Sequence, residues 1–173
     1  MRRSCFKKRR WDAIAAIVEH LEADLVRFPT DVAEFEDTSA KMSRWCNFEG
    51  VVGAIDGLII RMKSVSPELQ RVMRCDRHDC YGLNLQAIVD ADDRFVWFST
   101  ERYASCADGL AFRVTKMLRK LEAGALGRPQ GRYFILGDNA YPLRHFLLHP
   151  FRGAHAPGTA EDTWNLCMSA ARA

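Results

Sequence analysis

The sequence predicts an α/β fold, a mixed sheet flanked by helices, and three observations carry that prediction. Apolar residues recur at helical spacing near both ends of the chain; short β-type runs fill positions 51–99; and one continuous apolar run stands apart at 133–137, after a helical stretch. With 173 residues, 48% hydrophobic and 27% charged, the chain fits one globular domain and is too short for a second complete one.

Ile14, Ile17, Val18, Leu21 and Leu25 mark an amphipathic helix over 12–27, which Phe28 and Pro29 end because proline disfavours helix in the residue before it. A second helical stretch, richer in acids, spans 31–44 and closes toward Trp45 and Phe48, two expected aromatic anchors. Strands are expected at 51–56, 58–63, 83–90 and 95–99, with Gly57 as a tight join between the first two and Asp90 to Asp93 as a turn between the last two. A helix fits 110–121, a loop 124–131, a buried strand 133–137 and a final helix 160–173. Adjacent strands followed by helix, strand and helix is the order of an RNase H-like domain.

Net charge is +3, yet Arg2, Arg3, Lys7, Lys8, Arg9 and Arg10 bring +6 to the first ten residues and leave −3 for the remainder. Such an arm suits nucleic acid or nuclear import, and equally a solvated tail. The six cysteines form no paired framework and read as reduced thiols of an intracellular protein. No signal-peptide core and no apolar run of membrane-spanning length is present, so a soluble, cytoplasmic or nuclear protein is expected.

Two acids end apolar strands: Asp56 follows Val51 to Ile55, and Asp138 follows Phe134 to Gly137. A carboxylate there must be hydrogen-bonded, open to a cleft or bound to a cation, because an unpaired buried charge is costly. Each equally fits a turn or helix cap, the commoner role of Asp after a strand. Cys75, His78 and Cys80 are spaced for zinc, but no second ligand pair accompanies them. His145, His149 and His155 read as local hydrogen-bonding groups, and Lys116, Arg119 and Lys120 as either phosphate contacts or a solvated helix face.

The stretch from Phe48 to Lys63, with Asp56 at its centre, resembles the first catalytic motif of the Harbinger transposases and their domesticated relatives. Leu136 to Leu143, with Leu147, Leu148, Pro150 and Phe151 beyond, resembles the second; Tyr81 to Asp90 is similar to the family strand between them, and Arg27 to Thr30 to its upstream approach. The resemblance implies an RNase H-like DDE nuclease domain over 48–173, preceded by a basic arm and helical lead-in over 1–47. It also implies Asp56 and Asp138 as catalytic acids binding Mg²⁺ or Mn²⁺, with DNA as partner and a nuclear location. A Myb-like partner protein is the family's usual aid to DNA recognition.

The family's further acid, in a Gly-Ser-x-x-Asp element, corresponds to Asp108 within Ala104 to Asp108, where Ala104 replaces the glycine and Ala107 a frequent histidine. Asp108 is therefore a third candidate metal ligand, with an N-cap of the following helix as the alternative. The family's helical glutamate would follow Asn165, Ser169 and Arg172 and fall just beyond Ala173, so the nuclease domain is expected to be incomplete at its C-terminus; Glu161 and Asp162 lie on the wrong side of that motif. Two readings follow: a metal-dependent DNA endonuclease or strand-transfer domain whose activity needs that acid, and a non-catalytic DNA-associated or partner-binding remnant. A relic without function is a third.

Overall fold

The computed structural model describes residues 2–127 and 132–172, without the side chains of residues 2–7 and 23. The side chains of Arg2, Arg3 and Lys7, positions 128–131 of the expected loop and Ala173 of the expected last helix lie outside what is described. Six helices and six strands make an α/β fold with one mixed sheet.

Helix α1 (Arg2–Leu25) begins ten residues before the periodic apolar stripe, because arginine, lysine and alanine hold a helix without a core to pack on. Helix α2 (Val32–Cys46) starts where its chemistry dictates: the Asp31 carboxylate accepts the Glu34 N–H, and Glu34 reaches back to the Thr30 N–H at 2.8 Å. Asn47, at φ 54°, ends it in the left-handed region. The Ser39 hydroxyl accepts the Gly50 N–H at 2.7 Å and ties this helix to the first strand.

Strand β1 (Val51–Met62) runs unbroken through Gly57, which corrects the two expected strands and their tight join. Helix α3 (Pro67–Met73) and the two-residue strand β2 (Arg74–Cys75) follow, both missed in the sequence. Strand β3 (Cys80–Val89) is antiparallel to β1, with Asp56 opposite Ala87 and Leu58 opposite Leu85. Strand β4 (Phe95–Tyr103) is antiparallel to β3, with register shifts between Asn84 and Gln86 and between Ile88 and Val89. The Asp90 carboxylate closes the β3–β4 turn as expected, accepting the N–H groups of Asp92 and Arg94 and the Arg94 guanidinium.

The single helix expected at 110–121 is two: α4 (Asp108–Arg113) and α5 (Lys116–Glu122). Thr115 makes the break, donating to the Phe112 carbonyl while its hydroxyl oxygen accepts the Leu118 N–H. Strand β5 (Phe134–Leu136) then pairs parallel to β1, β6 (Leu147–Leu148) pairs parallel to β5, and α6 (Ala160–Ala170) closes the described chain. The main order is β4-β3-β1-β5-β6, with β2 beside the start of β3, an RNase H-like arrangement.

Two cores sandwich the centre of this sheet. Val52, Ile55, Ile135 and Leu147 meet Phe112, Met117, Leu118 and Leu121 of α4 and α5, together with Phe35 of α2. On the other face Val51 and Leu136 meet Met42 of α2 and Met168 of α6. Phe48 is the anchor expected, stacked 5.0 Å from Trp164, whereas Trp45 is 59% exposed and anchors nothing.

Candidate functional site

Parallel pairing of β1 and β5 sets Ala54 opposite Leu136, and Asp56 and Asp138 each lie two residues further along. Because side chains alternate along a strand, Asp56 leaves β1 on the face of Ala54, whereas Asp138 lies past the end of β5, in the turn that follows it. Asp56 is exposed and Asp138 half-buried. The Asp56 Oδ1 accepts the Gly57 N–H at 2.8 Å, and the Asp138 Oδ1 accepts the Ala140 N–H at 2.9 Å, the local turn bond typical of Asp. Both line a cavity of about 590 Å³ that Asp108 also lines.

Asp108 reaches this cavity differently. The N-cap of α4 is Ala107, so the capping alternative is set aside: the Asp108 side chain turns instead to β3, where its Oδ1 accepts the Asn84 and Gln86 amides, each at 2.9 Å. It lies on the opposite face of β1 from Asp56, against a position without a side chain: a Cβ on Gly57 would collide with the Asp108 carboxylate. Gly109 makes a second close approach, since a Cβ there would collide with the Ala140 carbonyl in the turn after Asp138. Thus the start of α4 is pressed against the middle of β1 beside Asp56 and against the turn after Asp138.

The bonds to Asp108 belong to a buried polar chain. Gln86, 1% exposed, also donates to the Asn84 side-chain Oδ1 at 2.7 Å, accepts the Tyr141 hydroxyl at 2.6 Å, and leaves none of its amide atoms unpaired. Asn84 donates further to the Cys106 carbonyl. Burial pushes the Tyr141 hydroxyl well above its ordinary pKa, and the charges of Asp108, Asp56 and Asp138 add to that rise in this order, while the Gln86 bond opposes it. Asn84, Gln86 and Tyr141 were not singled out in the sequence. Their signal was there: two amides inside the apolar strand from Leu83 to Ile88, which could be buried only with partners.

Arg61, passed over in the sequence, lines the same cavity, as do Arg77 and His78 of the segment weighed for zinc. Lys116, Arg119 and Lys120 stand exposed on α5, away from it. Cys75 and Cys80 face each other across β2 and β3 as free thiols, without a further ligand pair. His149 Nδ1 bonds the Pro150 carbonyl at 2.9 Å, but the buried His155 Nε2 has no partner among the described residues, against the expectation that all three histidines are locally satisfied. Asn165 bonds the Phe151 backbone through both amide atoms, and Asp162 accepts the Gly158 N–H at the start of α6, so neither faces the cavity.

Among the described residues, no three His, Cys, Asp or Glu side chains stand close enough to grip one ion together. The donor chemistry nevertheless suits a hard divalent cation. Each of Asp56, Asp108 and Asp138 commits its Oδ1 to the protein, and no bond is made by any of their Oδ2 atoms among the described residues.

A family model described as "DDE superfamily endonuclease" matches residues 55–173. The chain is 25% identical over 156 residues to "Putative nuclease HARBI1" of Homo sapiens, covering 90% of this chain and 42% of that protein. It is 24% identical over 145 residues to "Protein ALP1-like" of Arabidopsis thaliana, covering 79% and 36%. The chain therefore spans less than half the length of these relatives. No solved structure matches it significantly. Among the described residues no helix is long and apolar enough to cross a membrane.

Proposed function

Because this chain belongs to the DDE superfamily endonuclease family, we propose that it is a transposase-derived, metal-dependent DNA endonuclease domain in which Asp56 and Asp138 are the catalytic acids. One observation carries the reading: the carboxylates of Asp56, Asp108 and Asp138, brought from β1, α4 and the end of β5, line one cavity. Asp56 and Asp138 would hold the divalent cation, Mg²⁺ or Mn²⁺, at the cavity they both line. Asp108 adds its remaining oxygen and its charge from the α4 side. Divalent ions held there would supply activation of the attacking oxygen and stabilisation of the leaving one in phosphodiester cleavage. Arg61 and Arg77, on the cavity wall, bind the phosphates of the DNA strand and keep it against the acids. The domain so defined covers 48–173, with α2 of the lead-in as a packing layer. A nuclear location and a Myb-like DNA-binding partner complete the proposal, both by family resemblance.

A second reading, a non-catalytic DNA-associated or partner-binding remnant, is favoured by the absence of any three-residue ligand group among the described residues. Mn²⁺ titration by calorimetry, alongside a plasmid-nicking assay, separates the two. The 173-residue chain is expected to bind Mn²⁺ weakly and to cut no DNA above background, because the helical glutamate of the family's set is not among these residues. Asp56→Ala and Asp138→Ala should each remove the Mn²⁺ heat, and a longer chain carrying the glutamate should bind more tightly. Equal binding by the chain and both variants rejects the carboxylate site. Robust cutting by the 173-residue chain, lost in both variants, rejects the need for the further acid.

A further inference from the structure

The stripe on α1 is made of large apolar side chains, and the structure leaves them in water: Trp11 is 68% exposed, Ile14 48%, Val18 49%, Leu21 46% and Leu25 67%. A contiguous exposed stripe of this kind marks an interaction surface. Trp11, Ile14, Val18, Leu21 and Leu25 follow one another at intervals of three, four, three and four, the seam of a two-helix coiled coil, with Ile17 beside it at 57% exposure.

Charge along the helix says what covers this seam. Lys8, Arg9 and Arg10 lie at its first half, and Glu19, Glu22 and Asp24 at its second, all exposed. Two parallel copies would set the basic halves side by side. Two antiparallel copies set the basic half of each against the acidic half of the other. Heptad positions make the match specific. With Trp11, Val18 and Leu25 at a, and Ile14 and Leu21 at d, an antiparallel register places Ile14 over Val18 of the second copy and Trp11 over its Leu21. The flanking positions then pair Lys8 with Glu22 and Arg10 with Asp24, while Ile17 meets Ile17 at the two-fold axis. We propose that α1 is a self-association helix, through which two copies of this chain pair antiparallel by the seam from Trp11 to Leu21. The contact is isologous, so it closes at two copies and does not propagate. It leaves the cavity around Asp56 and Asp138 unencumbered, since no residue of α1 lines it.

Sedimentation equilibrium of the full 173-residue chain tests this across a wide range of concentrations, at low and at high salt. A monomer–dimer equilibrium is expected, weaker at high salt because the flanking pairs are exposed. Ile14→Asp with Leu21→Asp should give monomer throughout. Arg10→Glu should weaken the dimer by about tenfold, and adding Asp24→Arg to that variant should restore it. All these positions are exposed, so unfolding curves should stay unchanged at concentrations where the chain is monomeric. Monomer at every concentration overturns the proposal, whether another part of a longer chain, DNA or a different protein proves to cover the stripe. So does a dimer indifferent to Ile14→Asp with Leu21→Asp. A double charge swap no better than Arg10→Glu alone overturns the antiparallel pairing.

Discussion

The two halves of β1 are one strand with two environments. From Val51 to Ile55 it lies between the α4/α5 layer and the α2/α6 layer, and Val51, Val52 and Ile55 are inaccessible to solvent; past the contact of Gly57 with Asp108 of α4 it keeps its pairing with β3 but loses its covers, and Leu58 and Ile60 stand in water. Hydrogen bonding is therefore shared by the two halves and burial is not. Asp56 occupies the step between them, where a charge can keep its solvent while its backbone is held by pairing with Ala87 of β3, two residues past the last partner on β5. That junction is where an ion-binding carboxylate combines low desolvation cost with fixed position.

Substitutions in each half put this contrast at risk. Ile55→Ala should cost about 3 kcal/mol in urea-unfolding stability, whereas Ile60→Ala should cost less than about 1 kcal/mol; equal costs would mean that the strand, and not its covers, decides burial. At the step itself, Gln86→Leu should cost about 2 kcal/mol, since it strips partners from the Tyr141 hydroxyl, Asn84 and Asp108 together. Tyr141→Phe should cost about 1 kcal/mol near neutral pH and alter the alkaline limb of stability. The folded state raises the Tyr141 pKa, so an unfolded chain releases that proton first, and stability that is full below about pH 10 falls as pH rises beyond it. The variant should show a shallower fall between about pH 10 and pH 11, read from urea midpoints. The smallest stability effect belongs to Asp56→Ala, within about 0.5 kcal/mol, because the side chain is exposed; the same variant should lose Mn²⁺ binding.

Much of this was legible in the sequence. The apolar runs that end in Asp56 and Asp138 named the two central strands, and their order, read as a Harbinger-type resemblance, agrees with the family that matches residues 55–173. The boundary at Asp31, the turn at Asp90 and the buried strand before Asp138 rest on local chemistry, which a linear reading can weigh. What escaped depended on contacts between distant residues. Gly57 looks like a turn and is instead the place where β1 makes room for a carboxylate 51 positions later. Thr115 looks like a helix interior until its hydroxyl is seen to cap a new helix whose axis follows the core. Asn84 and Gln86 look like interruptions of a strand because their partners, Asp108 and Tyr141, come from two other segments. Trp45 and Phe48 are alike in sequence, and the arrival of Phe134 and Trp164 beside Phe48 distinguishes them.

The irregular pairing of β4 has a consequence for how the protein behaves when crowded. One margin of the sheet, β6, is only two residues long and carries an Arg144–Leu147 bridge folded back on it, so it offers no template to another chain. The other margin, β4, is nine residues long, with Phe95, Phe98 and Tyr103 exposed, and it is the open ladder along which a stray strand would add. The register slips at Asn84–Gln86 and Ile88–Val89 bend that ladder out of true, and Glu101 and Arg102 set charges along its end. These bulges of β4 thus act as guards against edge-to-edge aggregation.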